Sequence, residues 1–233
     1  MSARSLGTWD GEKKGSDRKE KDMKIALFGS GMIGQRVAQE ALRRGHEVTA
    51  IVRDPARIQF RHPQLTLTEG NALNPESVTQ VVAGHDVVVS AIKPSENQPW
   101  SALAEAAQSL LEGVKRAGVK RLLVVGGAGT MEVAPGVRAL DVFTIPESWK
   151  PEVMGKLEEW EVYRKNSDVD WTYFSPPVFV EPGERTGTYR LGIDQLVMNA
   201  QGESRISAED YAVALLDEIE QPRFVRQRFS AAY

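Results

Sequence analysis

The chain has 233 residues, 41% of them apolar and 26% charged, a size and composition that suit one large α/β domain or two small ones. Its formal net charge of −3 argues against broad affinity for nucleic acid or an anionic membrane, and its lack of cysteine excludes disulfides, thiolate metal sites and thiol nucleophiles together. No stretch approaches the roughly 20 apolar residues of a membrane span, so a soluble, cytoplasmic protein in a reducing compartment is expected.

Residues 1–22 are rich in Lys, Asp, Glu, Ser and Gly, show no apolar periodicity and lack the apolar run of a signal peptide. They are expected to be a disordered leader, an expression remnant, or sequence upstream of a true start at Met23. The folded domain then runs 23–233, without internal repeat or mid-chain linker. Its first part alternates short β-rich runs with helical ones, the pattern of a parallel sheet covered on both faces. Strands are expected at 24–28, 48–52, 65–68, 86–91, 121–125 and 171–175. Helices are expected at 32–44, from Pro75 to Gly84, at 99–117 and at 151–166. Beyond Pro176 and Pro177 the alternation loosens, and 183–204 reads as a hairpin laid over the sheet end. Ser207-Ala208-Glu209-Asp210 resembles a capping box opening a helix to Glu220, and 227–231 reads as a last strand.

Gly29-Ser30-Gly31-Met32-Ile33-Gly34 is a G-x-G-x-x-G between the first strand and the first helix. Such a loop turns sharply, lets backbone approach a pyrophosphate without a Cβ in the way, and aims the N–H groups of a helix N-terminus at it. The strand–loop–helix context makes the motif specific for a dinucleotide; a tight structural turn in another α/β protein is the alternative. The second strand leads into Arg53, about twenty residues beyond the glycines, where the group reading the adenosine ribose stands. An arginine there suits the 2′-phosphate of NADP, with Arg57 placed to help. Asp54 could instead read the hydroxyl of NAD, and both arginines could be solvated surface charges. NADP(H) is favoured and NAD(H) stays open.

Ligands of open α/β sheets bind at the carboxyl ends of the strands. Those ends here are Asn71-Ala72-Leu73, Ala91-Ile92-Lys93, Gly127-Ala128-Gly129-Thr130 and Pro176-Pro177-Val178. Small, apolar and proline-rich, they suit a nicotinamide ring held flat with one face open. No tyrosine has a lysine four residues on, so the usual phenol–lysine pair for alcohol–ketone chemistry is missing and no catalytic residue is assigned. His46, His62 and His85 read as surface or turn residues and lack metal-ligand spacing, so no metal is expected. Hydride transfer to a flavin or quinone needs close stacking and little acid–base help. The stretch 131–150, too long for a plain connector, is either a substrate cover or a cap on the sheet, and Trp149 is its one candidate ring-stacker.

Residues 25–29, Met32-Ile33-Gly34, Val52-Arg53-Asp54-Pro55-Ala56-Arg57, 119–129 and Ser175-Pro176-Pro177 together resemble the atypical short-chain family of NAD(P)H-dependent flavin reductases, which includes the biliverdin reductase B type. The likeness runs from Met23 to the C-terminus and takes in 181–187 and 207–211. It implies one Rossmann-type doubly wound, mostly parallel sheet with helices on both faces, NADPH at the loops above, and a flavin or quinone bound as substrate. Three positions depart from the family pattern. The glycine loop is one residue shorter, Asn71 replaces an aspartate, and Gly129 stands where the biliverdin type has serine, leaving Thr130 as the nearest hydroxyl. The last departure argues against biliverdin-like substrates. The competing reading is a redox sensor that binds NADP without turning it over. The expected partner is a small molecule and the expected state a monomer or homodimer.

Overall fold

The computed structural model describes residues 22–55, 58 and 60–233. Residues 1–21 and Arg57, both subjects of expectations above, lie outside it. The described elements run β1 (Lys24–Phe28), α1 (Met32–Arg43), β2 (Glu47–Val52), β3 (Leu65–Glu69), α2 (Pro75–Val82), β4 (Val87–Ser90), α3 (Ala102–Arg116) and β5 (Arg121–Val125). The chain then forms β6 (Glu132–Ala134), β7 (Val137–Arg138), α4 (Ala139–Val142), α5 (Lys150–Arg164), β8 (Asp170–Ser175), β9 (Phe179–Glu181), β10 (Arg190–Gly192), β11 (Arg205–Ser207), α6 (Ala208–Glu220) and β12 (Gln227–Ala232).

Eight strands make one sheet in the order β10-β12-β8-β5-β4-β1-β2-β3, parallel throughout except for β10, which pairs antiparallel with β12 at the edge. The order reverses between β1 and β4, and that reversal opens the crevice in which ligands of such sheets sit. Successive side chains of a strand point to opposite faces, and here both faces are apolar. Ile25 and Leu27 of β1 face α1 and α6, with Leu123 of β5 in the same cluster. Ala26 and Phe28 face the other way, with Leu122 and Val124, toward Val78, Leu110 and Tyr163 of α2, α3 and α5. This is the doubly wound α/β sheet that the alternation implied.

The C-terminal third differs from its sequence expectation. Residues 183–204 form no hairpin over the sheet. They contribute β10 to the sheet edge, while β9 pairs in parallel with β11 in a separate two-stranded sheet. Glycines in this stretch made a hairpin look plausible, but the apolar alternation needed for two matched strands is missing. Only half of a capping box forms at α6. Ser207 Oγ accepts from Asp210 N at 2.9 Å, yet the Asp210 carboxylate takes Gly187 N, Thr186 Oγ1 and Tyr233 OH instead of reaching back to Ser207.

Two constructions lock this part of the chain to the sheet. Tyr211, Phe174 and Phe229 stack nearly parallel, with centroids 4.0 and 4.2 Å apart, and Phe224 extends the column at 4.6 Å. At the far end of α1 a charged network ties helix to helix. Glu40, 5% exposed, accepts from Arg43, Arg44 and Arg185, while Arg44 also binds Asp217 and Glu220 of α6. His46 belongs here too. It is buried at 1% exposure with Nε2 2.9 Å from Glu220, so it is an internal turn residue and not a surface one.

Burial by itself would raise the Glu40 carboxyl, but the Arg185, Arg43 and Arg44 guanidiniums overcome it and hold the group down from 4.5 to about 2. A folded value below the ordinary one means that this stabilisation is complete above pH 4.5 and fades as pH falls toward 2. Glu40→Gln is therefore expected to lower stability at neutral pH by about 2 kcal/mol and to flatten the loss on acidification. Urea unfolding at a series of pH values checks both effects; an unchanged acid slope would remove Glu40 from the account.

Candidate functional site

The glycine loop is set by contact between strand ends. Gly29 has a φ of +118°, and a Cβ there would collide with the Ala91 carbonyl at the end of β4. At Gly34 a Cβ would run into the Gly29 carbonyl, so the first turn of α1 is pressed against the loop. Gly31 is different. A Cβ on it would meet nothing within 4 Å, so its α-carbon looks into open space. No side chain caps α1 at Gly31 and its first turn has no acidic residue, while Gln35 N already bonds the Gly31 carbonyl. The N–H groups of the first turn and the positive end of the helix therefore face outward, where an anion would be held. Gln35 Nε2 steadies the loop by donating to Ser30 O at 2.8 Å. Met32, the first helical residue, stays exposed, and Ile33 packs on the core beside Val37.

Arg53 stands just beyond the end of β2, exposed, its guanidinium held among the described residues by one long hydrogen bond of 3.4 Å to Gln98 Oε1. Gln98 in turn closes the turn after β4 by accepting from Ser95 N and Oγ. The cation is thus loosely guided toward the crevice with donors to spare. Asn71, beyond β3, is exposed, and its Oδ1 accepts from Leu73 N across a local turn that carries Ala72. Lys93, after Ala91 and Ile92, is exposed on the loop that closes over Gly29. The sequence-derived residues after β1, β2, β3 and β4 therefore stand along the same carboxyl edge of the sheet.

The other half is built from β5, β8 and α5. A Cβ at Gly127 would stand 2.7 Å from Lys156 Cβ, and one at Gly129 2.8 Å from Val153 Cγ1, so the loop through Ala128 lies flat on α5. Thr130 is 4% exposed; its hydroxyl donates to Gly127 O and meets Ser175 Oγ at 2.9 Å. The hydroxyl singled out as nearest to a substrate thus points inward and ties the end of β5 to the end of β8. Pro176, Pro177 and Val178 follow directly, with Val178 packed on a small cluster of Met131, Ala139 and Leu196. The 131–150 stretch accordingly folds into β6, β7, α4 and a short turn, and Trp149 at the start of α5 is 48% exposed. Trp160 and Trp171 meet edge to face within the core, away from any such role.

Sequence reasoning missed one polar group beneath this half. Lys156, 7% exposed, donates to Val125 O and Glu159 Oε2, each at 2.9 Å, and Tyr173 OH donates to the same Glu159 oxygen at 3.0 Å. Burial raises the Glu159 carboxyl above its usual range, with Lys156 opposing. Burial also lifts the Tyr173 hydroxyl well above its usual value, with Glu159 adding to it. The search for tyrosine four residues before lysine passed over Lys156, because Glu152 occupies that place. Charged residues at 156 and 159 on the buried stripe of α5, where apolar ones belong, were the available signal.

The geometry defines a dinucleotide-binding Rossmann protein, and it fits the cofactor class on its own terms. One glycine opens to space, a helix N-terminus stands uncapped, and an exposed arginine stands just past the end of β2. Comparison with known proteins agrees. Residues 29–222 match the NAD(P)H-binding family, and the chain belongs to it. Among solved structures, a Burkholderia pseudomallei protein provisionally named as exported is 46% identical, with a TM-score of 0.82, over 91% of this chain and all of its own. A Bacteroides thetaiotaomicron protein provisionally named an epimerase is 39% identical, with a TM-score of 0.84, over 91% of this chain and 98% of its own. A Streptococcus pneumoniae protein provisionally named an NADH-flavin reductase is 30% identical, with a TM-score of 0.78, over 90% and 99%. The fold is that of NAD(P)H-binding oxidoreductases. Among the described residues no helix is long and apolar enough to cross a membrane, and no acidic or histidine cluster suits a metal.

Two glycine variants separate folding from binding. Gly31→Ala is expected to leave the unfolding midpoint nearly unchanged while weakening NADPH binding by roughly tenfold or more, since only the ligand would meet the new methyl. Gly29→Ala is expected to cost more than about 2 kcal/mol of stability. Thermal unfolding alongside a cofactor titration reads both; equal effects of the two variants on stability would refute the assignment of Gly31.

Proposed function

We propose that the chain is an NADPH-dependent reductase that passes two electrons to a flavin or quinone bound as substrate. The observation that carries this reading is the contrast between the two halves of the crevice. One half presents open donors to an anion, and the other turns its polar side chains inward. Gly29 to Gly34 would hold the pyrophosphate, Arg53 the 2′-phosphate, and the 127–130 and 176–178 loops the nicotinamide end. The bound cofactor supplies a hydride at its nicotinamide ring.

What the chain does is position and shield. Gly127 and Gly129 let the loop lie flat on α5, which leaves a shallow surface on which two ring systems stack. Thr130 and Ser175 satisfy each other, so neither hydroxyl competes for the acceptor. The Lys156–Glu159 pair keeps a cation fixed behind that surface without exposing it. An acceptor that is already electrophilic takes its proton from water and needs no phenol–lysine pair. The Streptococcus pneumoniae relative named an NADH-flavin reductase supports this acceptor class, and the one named an epimerase draws attention to the alternative of internal redox on a tightly held cofactor.

NADPH oxidation should depend on an added flavin or quinone and should be faster with NADPH than with NADH. Arg53→Ser is expected to raise the KM for NADPH by about tenfold and to leave that for NADH within about twofold, in line with the loss of one charge-assisted phosphate contact. Initial rates with each cofactor, beside a control without acceptor, measure this. Tight NADPH binding without turnover on either acceptor class would instead favour a redox sensor.

A further inference from the structure

We infer that the acceptor subsite is selective for an uncharged, phosphate-free planar ring, a quinone or free riboflavin, over a flavin nucleotide such as FMN. The inference rests on the reductase reading above and concerns the segment that follows the β5 loop. Within it five large apolar side chains stand exposed close together in sequence: Val137 at 41%, Val142 at 56%, Phe143 at 45%, Trp149 at 48% and Met154 at 54%. Burying large side chains is the rule in a folded chain, so a run of exposed ones beside a ligand crevice marks a surface that is covered when the ligand arrives. It also sits where an acceptor must lie, because Trp149 opens α5 and Val153, four residues on, packs under Gly129.

The charges of the same segment decide what kind of ring it takes. From 131 to 154 it carries the carboxylates Glu132, Asp141, Glu147 and Glu152 against the cations Arg138 and Lys150 alone. Both cations are already engaged, Arg138 with Asp141 in a two-pronged pair and Lys150 with Glu147. Arg228, which reaches this region from β12, is 8% exposed; it bonds Thr130 O and Asp194 and pairs at 3.8 Å with Glu132, and its Nε, though unpartnered, is buried out of a ligand's reach. Lys156 lies buried on Glu159. The exposed cations with donors to spare, Arg53 and Lys93, belong to the cofactor half. Among the described residues, a phosphate carried in on the acceptor would therefore meet a surface of net negative charge with no unpaired exposed cation to receive it, whereas an uncharged ring would rest on the apolar side chains without that repulsion. The acceptor gains a hydride from NADPH and a proton from water, becoming the hydroquinone or dihydroflavin as NADPH becomes NADP+, so no phosphate is required by the reaction.

The test compares initial rates of NADPH oxidation with menadione, riboflavin and FMN at low and high salt, on the wild-type chain and on Glu147→Lys. The same three acceptors are also offered to NADP+-loaded protein by equilibrium dialysis. We expect kcat/KM for menadione and riboflavin to exceed that for FMN by roughly tenfold, with the gap narrowing as salt screens the repulsion. In Glu147→Lys, whose carboxylate is 86% exposed, the FMN rate should rise several-fold and the riboflavin rate should hold. Dialysis should show the same order of retention. FMN turned over or retained as well as riboflavin at low salt would overturn the proposal while leaving the reductase reading intact. NADPH oxidation with none of the three acceptors would bring down the reductase reading and this proposal with it.

Discussion

The approach of β1 to β4 at their carboxyl ends governs this molecule. Ala91 N bonds the Phe28 carbonyl, and the Ala91 carbonyl fills the space where a side chain on residue 29 would be. Only a residue without Cβ and tolerant of positive φ can leave β1 there, and the chain must then swing outward before α1 begins. That swing puts Gly31 at the lip of the crevice and aims the helix axis at it. The rest of the sheet keeps the two strands at that separation through the sorting of apolar residues onto α1 and α6 on one face and α2, α3 and α5 on the other.

Charge is distributed unevenly along the crevice, and the unevenness follows from burial. On the cofactor side the cations stand in solvent, where they can be recruited at little desolvation cost. On the side of α5 the lysine is drawn under the loop and neutralised by a carboxylate that burial itself disfavours as an anion. Such a pair contributes little net stability, yet removing either partner leaves an uncompensated group in the core. Its value lies in shaping a flat loop in which Gly127 rests on the lysine stem and Gly129 on Val153.

Much of this was legible in the sequence. β1 and β5 fall on the residues expected for them, β2, β3, β4 and β8 agree to within a residue at each end, and the glycine loop stands between β1 and α1 as the strand–loop–helix order implies. Local patterns of period 2 and 3.6 carry that information, because each such element buries a face of its own. The C-terminal third was legible only in part, since α6 and β12 have their own periodicity whereas β9, β10 and β11 are three residues each and owe their form to partners far along the chain. Likewise Thr130 read as an available hydroxyl, because nothing near it in sequence announces Ser175 as its partner. Lys156 was missed for a related reason: the pattern sought was tyrosine with lysine, and the burial of a lysine against Glu159 and Tyr173 is a tertiary fact. Arg57 lies outside the described residues, so Arg53 alone stands for the pair.

The position of β12 has a consequence for synthesis. This strand follows β10 in the chain by some thirty-five residues, yet it lies inside the sheet, between β8 and the earlier-made β10. Phe229 also completes the ring column that joins β8 to α6. While residues 227–232 are still in the exit tunnel, β10 has no edge to dock on, and Phe174 and Tyr211 lack the ring beyond them. The sheet thus waits on late segments, α6 to cover β1 and α1 and β12 to cover β8, and a nascent chain stalled before β12 emerges would expose the flank of β8 to pairing with another molecule.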